Sequence, residues 1–183
     1  MYKIHGKIQG VAPFLYNRMV DPESLNKTVA GGKKTVGDRE AEAEAKVYED
    51  DDGLYLPRWN FKKCLLLGVQ KAGLKEGRAG MAPYLEATVF LEEDPHFLGK
   101  KERDYMDERV GRIPPKTGAA AIIRRPALKS GWELPFSLTV VDNRRDAGAI
   151  RRGLEEAGLL VGLGSFRPEH GRFIVTEWNI EKT

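Results

Sequence analysis

The stretch that decides the fold is residues 159–175, which read LLVGLGSFRPEHGRFIV. It begins as the end of a helix-like segment, continues as a glycine-rich cationic turn and ends in a strand. Gly162, Gly164 and Gly171 have no Cβ, so their backbone can adopt positive φ and come close to a ligand. Exposed amides in such a turn form a concavity that binds anions. The pattern therefore predicts an anion-binding turn between a helix and the last strand.

The side chains of this turn favour a nucleic-acid backbone as the anion. Arg167 and Arg172 flank the turn with forked donors that suit phosphate, and Phe166 offers a stacking face. A second interpretation stays open at this point: Pro168 and Gly171 only shape a long hairpin, and the arginines are solvated.

Length and charge place limits on these interpretations. The chain has 183 residues, enough for a single domain over 1–183 with a real core. Thirty basic against 27 acidic residues give a net charge of +3, which by itself does not indicate nucleic-acid binding. Acidic residues concentrate in 40–52 and 92–108, whereas basic doublets recur elsewhere. This asymmetry predicts a local positive surface on a nearly neutral protein.

The cysteine count and the N-terminal sequence bear on location. One cysteine, Cys64, excludes an internal disulfide framework and fits a reducing cytoplasm. Because it lies in the apolar run 61–69, we expect a buried structural thiol. No stretch has the length needed to span a bilayer, and residues 1–8 alternate like a strand, unlike the apolar region of a signal peptide. We therefore expect a cytoplasmic protein with no membrane partner.

Hydrophobic periodicity predicts the order of the elements. They are a strand over 2–9, a helix over 61–72 that Asn60 caps and Gly73 ends, strands over 82–91, 119–128 and 132–141, a helix from Asp146 to about 158, and a strand over 173–180. The cluster Phe14-Leu15-Tyr16 is expected to pack back on the core.

Two long polar segments interrupt this order as insertions. They are residues 21–52, with a short helix at 39–46, and residues 92–117. Apart from one extra strand in the middle, the order is the split β-α-β arrangement of an α+β, ferredoxin-like (RRM-like) antiparallel sheet with two helices. Such a sheet leaves one face available for single-stranded nucleic acid.

The element order and the turn resemble the RAMP superfamily of CRISPR-associated RNA-binding proteins, and within it the backbone subunits that polymerise along the guide RNA. That family has a glycine-rich loop after the second helix of a ferredoxin-like core, the place that 162–167 and 171–173 occupy here. The resemblance implies that insertions 21–52 and 92–117 grip nucleic acid and neighbouring subunits. The chain is also similar to a group of uncharacterised phage and prophage proteins, through residues 10–15 and 162–173.

Few residues favour catalysis or metal binding. His170 lies beside the candidate phosphate ligands, and some RAMP members are nucleases with a catalytic histidine, so a general acid or base at His170 is an alternative. Asp50-Asp51-Asp52-Gly53 lacks the ligand spacing of a calcium loop and favours a solvated turn. Trp132 has the best claim among the tryptophans to a surface role, since it follows a polar turn near Arg124 and Arg125. We expect no enzyme activity, no metal and no other cofactor.

The expected function is binding of single-stranded RNA or DNA, mainly through its backbone, by a protein that oligomerises along the strand. The expected partners are that strand, further copies of the chain in a ring or helical filament, or the other subunits of a ribonucleoprotein complex. The alternatives are a RAMP-type endoribonuclease that uses His170 and a structural phage assembly protein. The residues expected to contact the nucleic acid are Gly162, Gly164, Phe166, Arg167, Arg172, Arg124 and Arg125.

Overall fold

A computed structural model describes residues 1–21, 36–92, 96–113, 119–142 and 147–182. These residues form helices and strands whose bounds follow in chain order. They are β1 (Tyr2–Gly10), β2 (Phe14–Leu15), α1 (Val36–Glu44), β3 (Glu49–Asp50), β4 (Gly53–Leu56), α2 (Arg58–Lys71), β5 (Lys75–Glu76), β6 (Ala79–Gly80), α3 (Met81–Thr88), β7 (Val89–Leu91), β8 (His96–Phe97), β9 (Tyr105–Ile113), β10 (Ala119–Leu128), β11 (Glu133–Val140), α4 (Ala147–Leu160) and β12 (Phe173–Lys182).

A four-stranded antiparallel sheet forms the centre of the molecule. Its strand order is β12-β1-β11-β7, with β1 antiparallel to both β11 and β12. In chain order, β1, α2, β7, β11, α4 and β12 repeat a strand-helix-strand unit twice, and the last strand lies beside the first. This is the ferredoxin-like arrangement. The predicted α+β fold class is therefore confirmed.

Helices α2 and α4 cover one face of this sheet. Strand β1 turns Ile8 and its alternate neighbours into the core because successive side chains of a strand point to opposite faces. Phe61 of α2 packs on Phe136 of β11, with ring centroids 5.0 Å apart. Gly68 of α2 lies against Ala157 of α4, where a Cβ would have no room. The two helices therefore pack closely side by side over the sheet.

The segment between β7 and β11 builds a hairpin outside the central sheet. Strand β9 pairs antiparallel with β10, with Tyr105 opposite Ala127 and Asp107 opposite Arg125. Strand β2 pairs with the end of β10. The predicted insertion 92–117 thus supplies β8 and β9, while its residues 93–95 and 114–117 lie outside the described residues.

The predictions for residues 82–91 and for the start of α2 are corrected. Residues 82–91 form the helix α3 followed by the short strand β7, because Pro83 is tolerated in the first turn of a helix. Helix α2 begins at Arg58 with Pro57 as its cap, and Asn60 is already inside the helix, its N–H donating to the Pro57 carbonyl at 3.0 Å.

The remaining elements follow the prediction more closely. Gly73 follows the last helical turn of α2 with a φ of 64°, as predicted for the residue that ends this helix. Helix α1 occupies Val36–Glu44 rather than 39–46. Residues 22–35, which hold most of the first insertion, and Asp146, the predicted cap of α4, lie outside the described residues. Within the described ranges, no helix is long and apolar enough to cross a membrane.

Candidate nucleic-acid interface

The glycine-rich loop (residues 161–172) joins α4 to β12 and depends on left-handed backbone. Gly162, Gly164 and Gly171 have φ values of 75°, 79° and 73°, a region that residues with a Cβ rarely adopt. A Cβ on Gly164 would lie 2.6 Å from the carbonyl oxygen of Leu15. The glycines therefore serve both the backbone conformation and the close packing of the loop on β2.

Many amides of this loop are already used inside the protein. Gly162 N–H donates to the Ala157 carbonyl at 2.9 Å, and Gly171 N–H donates to the Pro13 carbonyl at 2.8 Å. Gly162 is buried, and its own carbonyl accepts the Cys64 thiol at 3.2 Å. The expected approach of the Gly162 amide to a nucleic-acid strand is therefore wrong, since the residue is buried and both its N–H and its carbonyl already have partners inside the protein. Gly162 shapes the loop instead.

Phe166, the predicted stacking residue, lies against arginines of the hairpin. Its φ is 55°, so it also has left-handed backbone. The Cζ of Arg125 lies 4.0 Å from the centre of its ring, and the Cζ of Arg109 lies 5.0 Å from the same centre. Phe166 thus joins the loop to the hairpin through cation–π contacts.

His170 is held by the hairpin as well. Its Nε2 lies 2.6 Å from Nη2 of Arg109. Because a guanidinium only donates, Nε2 is the acceptor of this hydrogen bond. The same Arg109 donates to both oxygens of Asp107, at 2.6 and 3.0 Å.

Arg124 and Arg125 lie on opposite faces of the hairpin, because neighbouring residues of a strand alternate. Arg124 donates to Glu108 at 2.6 Å, and this carboxylate raises the pKa of its guanidinium. Arg125 faces Phe166. The structure therefore brings Arg125 to the loop and separates Arg124 from it, which corrects the expected shared path of the two arginines.

A cleft of about 680 Å³ opens beside the glycine-rich loop, between β2, Tyr48 and helix α2. Ser165, Phe166 and Arg167 line it from the loop side. Arg167 is exposed, with Nη1 3.5 Å from the Gly162 carbonyl oxygen, and Gly164 lines the floor. Arg172 is exposed at the start of β12 and does not belong to the cleft lining.

Helix α2 supplies the polar side of the cleft, which the sequence interpretation missed. Asn60, Lys63 and Lys71 all line it. They recur at i, i+3 and i+11, so they share one face of the helix. This polar stripe includes Leu67 at i+7, and the helix also carries Lys62 on another face, so the stripe is a weak signal for the cleft in the sequence.

The charge of the cleft is one-sided. Its lining contains Lys63, Lys71 and Arg167 and, among the described residues, no Asp or Glu. Lys71 Nζ donates to the Leu160 carbonyl at 3.2 Å, which holds it at the edge of the loop. Three cations without a carboxylate make a positive potential that favours an anionic ligand.

Aromatic side chains form another wall of the cleft. Tyr16 and Tyr48 both line it, with ring centroids 6.5 Å apart. Tyr48 is half-buried and lies under the guanidinium of Arg18 at 5.8 Å. Tyr16 is buried, which raises the pKa of its phenol. A half-exposed tyrosine beside cations combines a stacking surface with phosphate ligands.

Two further residues that the sequence analysis considered, Trp132 and Cys64, lie in the interior. Trp132 is 1% exposed and donates its Nε1–H to the Ala12 carbonyl at 2.9 Å, so it is a core residue, as tryptophans more often are, and the surface role considered for it is excluded. Cys64 is fully buried, as predicted, and burial raises the pKa of its thiol to about 12.

The open face of the central sheet is an unsuitable phosphate surface. Its lysines are paired with carboxylates: Lys3 with Glu92 at 2.9 Å and Lys7 with Glu177 at 2.8 Å. His5 bonds Ser137 and lies 3.3 Å from Glu181. Lys3 and Lys7 are thus already occupied by carboxylates, whereas the described lining of the cleft contains cations and no carboxylate.

Comparisons with known proteins bear on the fold. No family model and no curated protein sequence matches the chain. Among solved structures, the chain is similar to one from the cryo-EM structure of the Type III-B Cmr-beta bound to cognate target RNA, with a TM-score of 0.58 and 14% identity. The match covers 99% of this chain and 61% of that one. This likeness bears on the fold alone. The resemblance to the RAMP superfamily stays a prediction. The resemblance to phage proteins stays a hypothesis.

Proposed function

We propose that this protein binds single-stranded nucleic acid, with RNA as the favoured ligand, in the cleft beside the glycine-rich loop. The observation that carries the proposal is a cleft with three cations, no carboxylate in its described lining and a half-exposed tyrosine. Backbone phosphates supply the charge that such a lining needs. The structural neighbour is bound to target RNA, which favours RNA over DNA.

We propose further that the protein does not cleave its ligand. A general acid or base needs a nitrogen within reach of the substrate proton, but His170 Nε2 already accepts from Arg109. The endoribonuclease is the second candidate, and only the position of His170 in the loop favours it. The endoribonuclease hypothesis requires that the wild type cut labelled RNA and that the His170→Ala variant leave it intact. We expect no cleavage by either protein.

We propose assembly along the strand as the third part of this function. A cleft of this size holds only a few nucleotides, and single-strand binders of that kind gain affinity by cooperative assembly. A head-to-tail interface then gives a ring or a helical filament. A structural assembly protein that ignores nucleic acid would form the same oligomers with and without RNA, and Arg167→Ala would not change them.

The first test measures how binding of a short single strand depends on salt. The logarithm of the binding constant falls linearly with the logarithm of the salt concentration, and each lost phosphate contact makes this slope shallower by about 0.7 for a single strand. We expect Lys63→Ala to lower the slope by about this amount and to weaken binding at low salt. Lys75→Ala, an exposed lysine of β5 outside the cleft, is the charge-matched control and should behave as the wild type. Equal slopes for Lys63→Ala and the wild type, or no binding at low salt, would refute the cleft as the site.

A further inference from the structure

The contact between the β9–β10 hairpin and the glycine-rich loop holds a guanidinium with incomplete hydrogen bonding. Nε and Nη1 of Arg125 are shielded from solvent and have no hydrogen-bond partner among the described residues. Unpaired buried donors, above all charged ones, are costly and rare in folded proteins. Arg125 therefore needs an acceptor that the described chain does not supply.

Phe166 orients this guanidinium without satisfying it. The Cζ of Arg125 lies over the ring, 4.0 Å from its centre. A cation–π contact of this kind holds the guanidinium in place and leaves its N–H groups able to donate to phosphate oxygens. The loop thus presents Arg125 as a fixed donor edge rather than as a flexible cation.

The carboxylate opposite Arg125 is already used. Asp107 faces Arg125 across the hairpin in register, but both of its oxygens accept from Arg109. The pair Asp107–Arg109 is close to neutral, so the charge of Arg125 is not cancelled by a hydrogen-bonded partner. Burial lowers the pKa of Arg125, and the charge of Asp107 only partly opposes this. The cluster keeps an excess of one positive charge.

We propose that Arg125, held over Phe166, is a phosphate-binding site on the hairpin side of the glycine-rich loop, next to the cleft whose lining Phe166 shares. If the proposed function holds, the natural ligand of this site is a backbone phosphate. Only this identity of the ligand rests on the proposed function. Free inorganic phosphate has the same chemistry. Because solvent does not reach Nε and Nη1 in this state, a phosphate oxygen enters as the hairpin and the loop separate slightly.

The test compares thermal unfolding in phosphate and in chloride at equal pH and ionic strength. A ligand that binds the folded state raises Tm, and we expect phosphate to raise that of the wild type by about 3 °C. Arg125→Lys keeps the charge but loses the planar fork, so it should lose most of this shift. Arg124→Lys is the matched control, since Arg124 lies on the opposite face and is paired with Glu108; it should keep the shift.

A second arm identifies the source of the phosphate, with a short single-stranded oligonucleotide and the same variants. Weaker oligonucleotide binding by Arg125→Lys alone supports a backbone phosphate as the ligand. Normal oligonucleotide binding with a lost phosphate shift supports a free phosphate. An absent shift in the wild type, or equal shifts in all three proteins, would overturn the site. This result is independent of the Lys63 experiment, which tests the cleft.

Discussion

At Gly171 the loop backbone is constrained from two sides. Its φ is 73°, and a Cβ there would overlap the carbonyl oxygen of Leu163. Its amide donates to Pro13, in the segment that leads into β2. A side chain at this position must therefore displace the backbone that shapes the cleft.

Gly171→Ala should lower the free energy of unfolding by more than about 2 kcal/mol, since left-handed strain and a backbone clash act together. Gly73→Ala is the control, because Gly73 has a φ of 64° but open space around its Cβ. It should cost about 1 kcal/mol, the strain alone. Urea unfolding measures both. Equal losses would show that the loop yields easily and that the close packing is unimportant.

Single residues also show where sequence interpretation reaches its limit. The burial of Cys64 followed from its apolar neighbours, and Arg167 was correctly placed at an exposed turn. The polar turn before Trp132 raised the alternative of a surface role, whereas the acceptor that draws its indole inward, Ala12, lies 120 positions away. The Gly162 amide bonds Ala157 in the preceding helix, whereas the donor to its carbonyl, Cys64, lies 98 positions away. Contacts of this kind leave no local signal.

At the scale of elements, helix α2 is joined to the glycine-rich loop by a thiol. Cys64 Sγ donates to the Gly162 carbonyl at 3.2 Å, and burial raises the pKa of this thiol to about 12. In the unfolded chain the thiol ionises near its ordinary pKa. The unfolded state therefore binds fewer protons between the two pKa values, and stability falls as pH rises through this window.

We expect the wild type to lose stability between about pH 8 and about pH 10 by on the order of 1 kcal/mol per pH unit more than Cys64→Ser, once the ordinary pKa is passed. The serine keeps a donor for Gly162 but does not ionise in this range. Urea unfolding of both proteins at the two pH values isolates the effect, because all other titrating groups are shared. Parallel pH profiles would show that the thiol is not buried as described.

The order of the elements could be predicted from periodicity, but their ends and types could not always be. Strands β1, β10 and β12 and helices α2 and α4 follow clear patterns. The segment 82–91 is ambiguous in the sequence, since a short apolar run fits either a strand or a buried helix. In the structure Met81 and Leu85 are buried on α3, and this packing is not visible in the sequence. Pro57 begins α2 without a side-chain cap, so Asn60 gave a misleading signal.

At the scale of the whole molecule, assembly along a strand stays a prediction, and the first insertion is its proposed contact. Deleting residues 24–37 should reduce cooperativity on a long single strand more than affinity for a short one, because no described residue of this segment lines the cleft. Sedimentation with a long strand, beside binding of a short oligonucleotide, measures both. A wild type that stays monomeric at saturation would refute assembly while leaving simple binding intact.

The site itself could be predicted only in part. The sequence located the loop, with Gly164, Phe166 and Arg167 at the cleft, because glycines and an arginine are adjacent there. The polar stripe of α2 lies a hundred residues earlier in the chain, and only the fold brings Lys63 and Lys71 to the loop. The separation of Arg124 from Arg125 depends on strand register, which a doublet in the sequence does not reveal.

We propose above all that a bound nucleic-acid strand lies in the cleft and not on the open face of the central sheet. Photo-crosslinking of a short single-stranded RNA that carries a photoreactive base, followed by mass spectrometry of the peptides, tests it most directly. We expect crosslinks at Tyr48 and in the loop around Phe166, both lost when Lys63 and Arg167 are replaced by alanine. Crosslinks at His5 or Phe90 on the sheet face, with the cleft unlabelled, would contradict it.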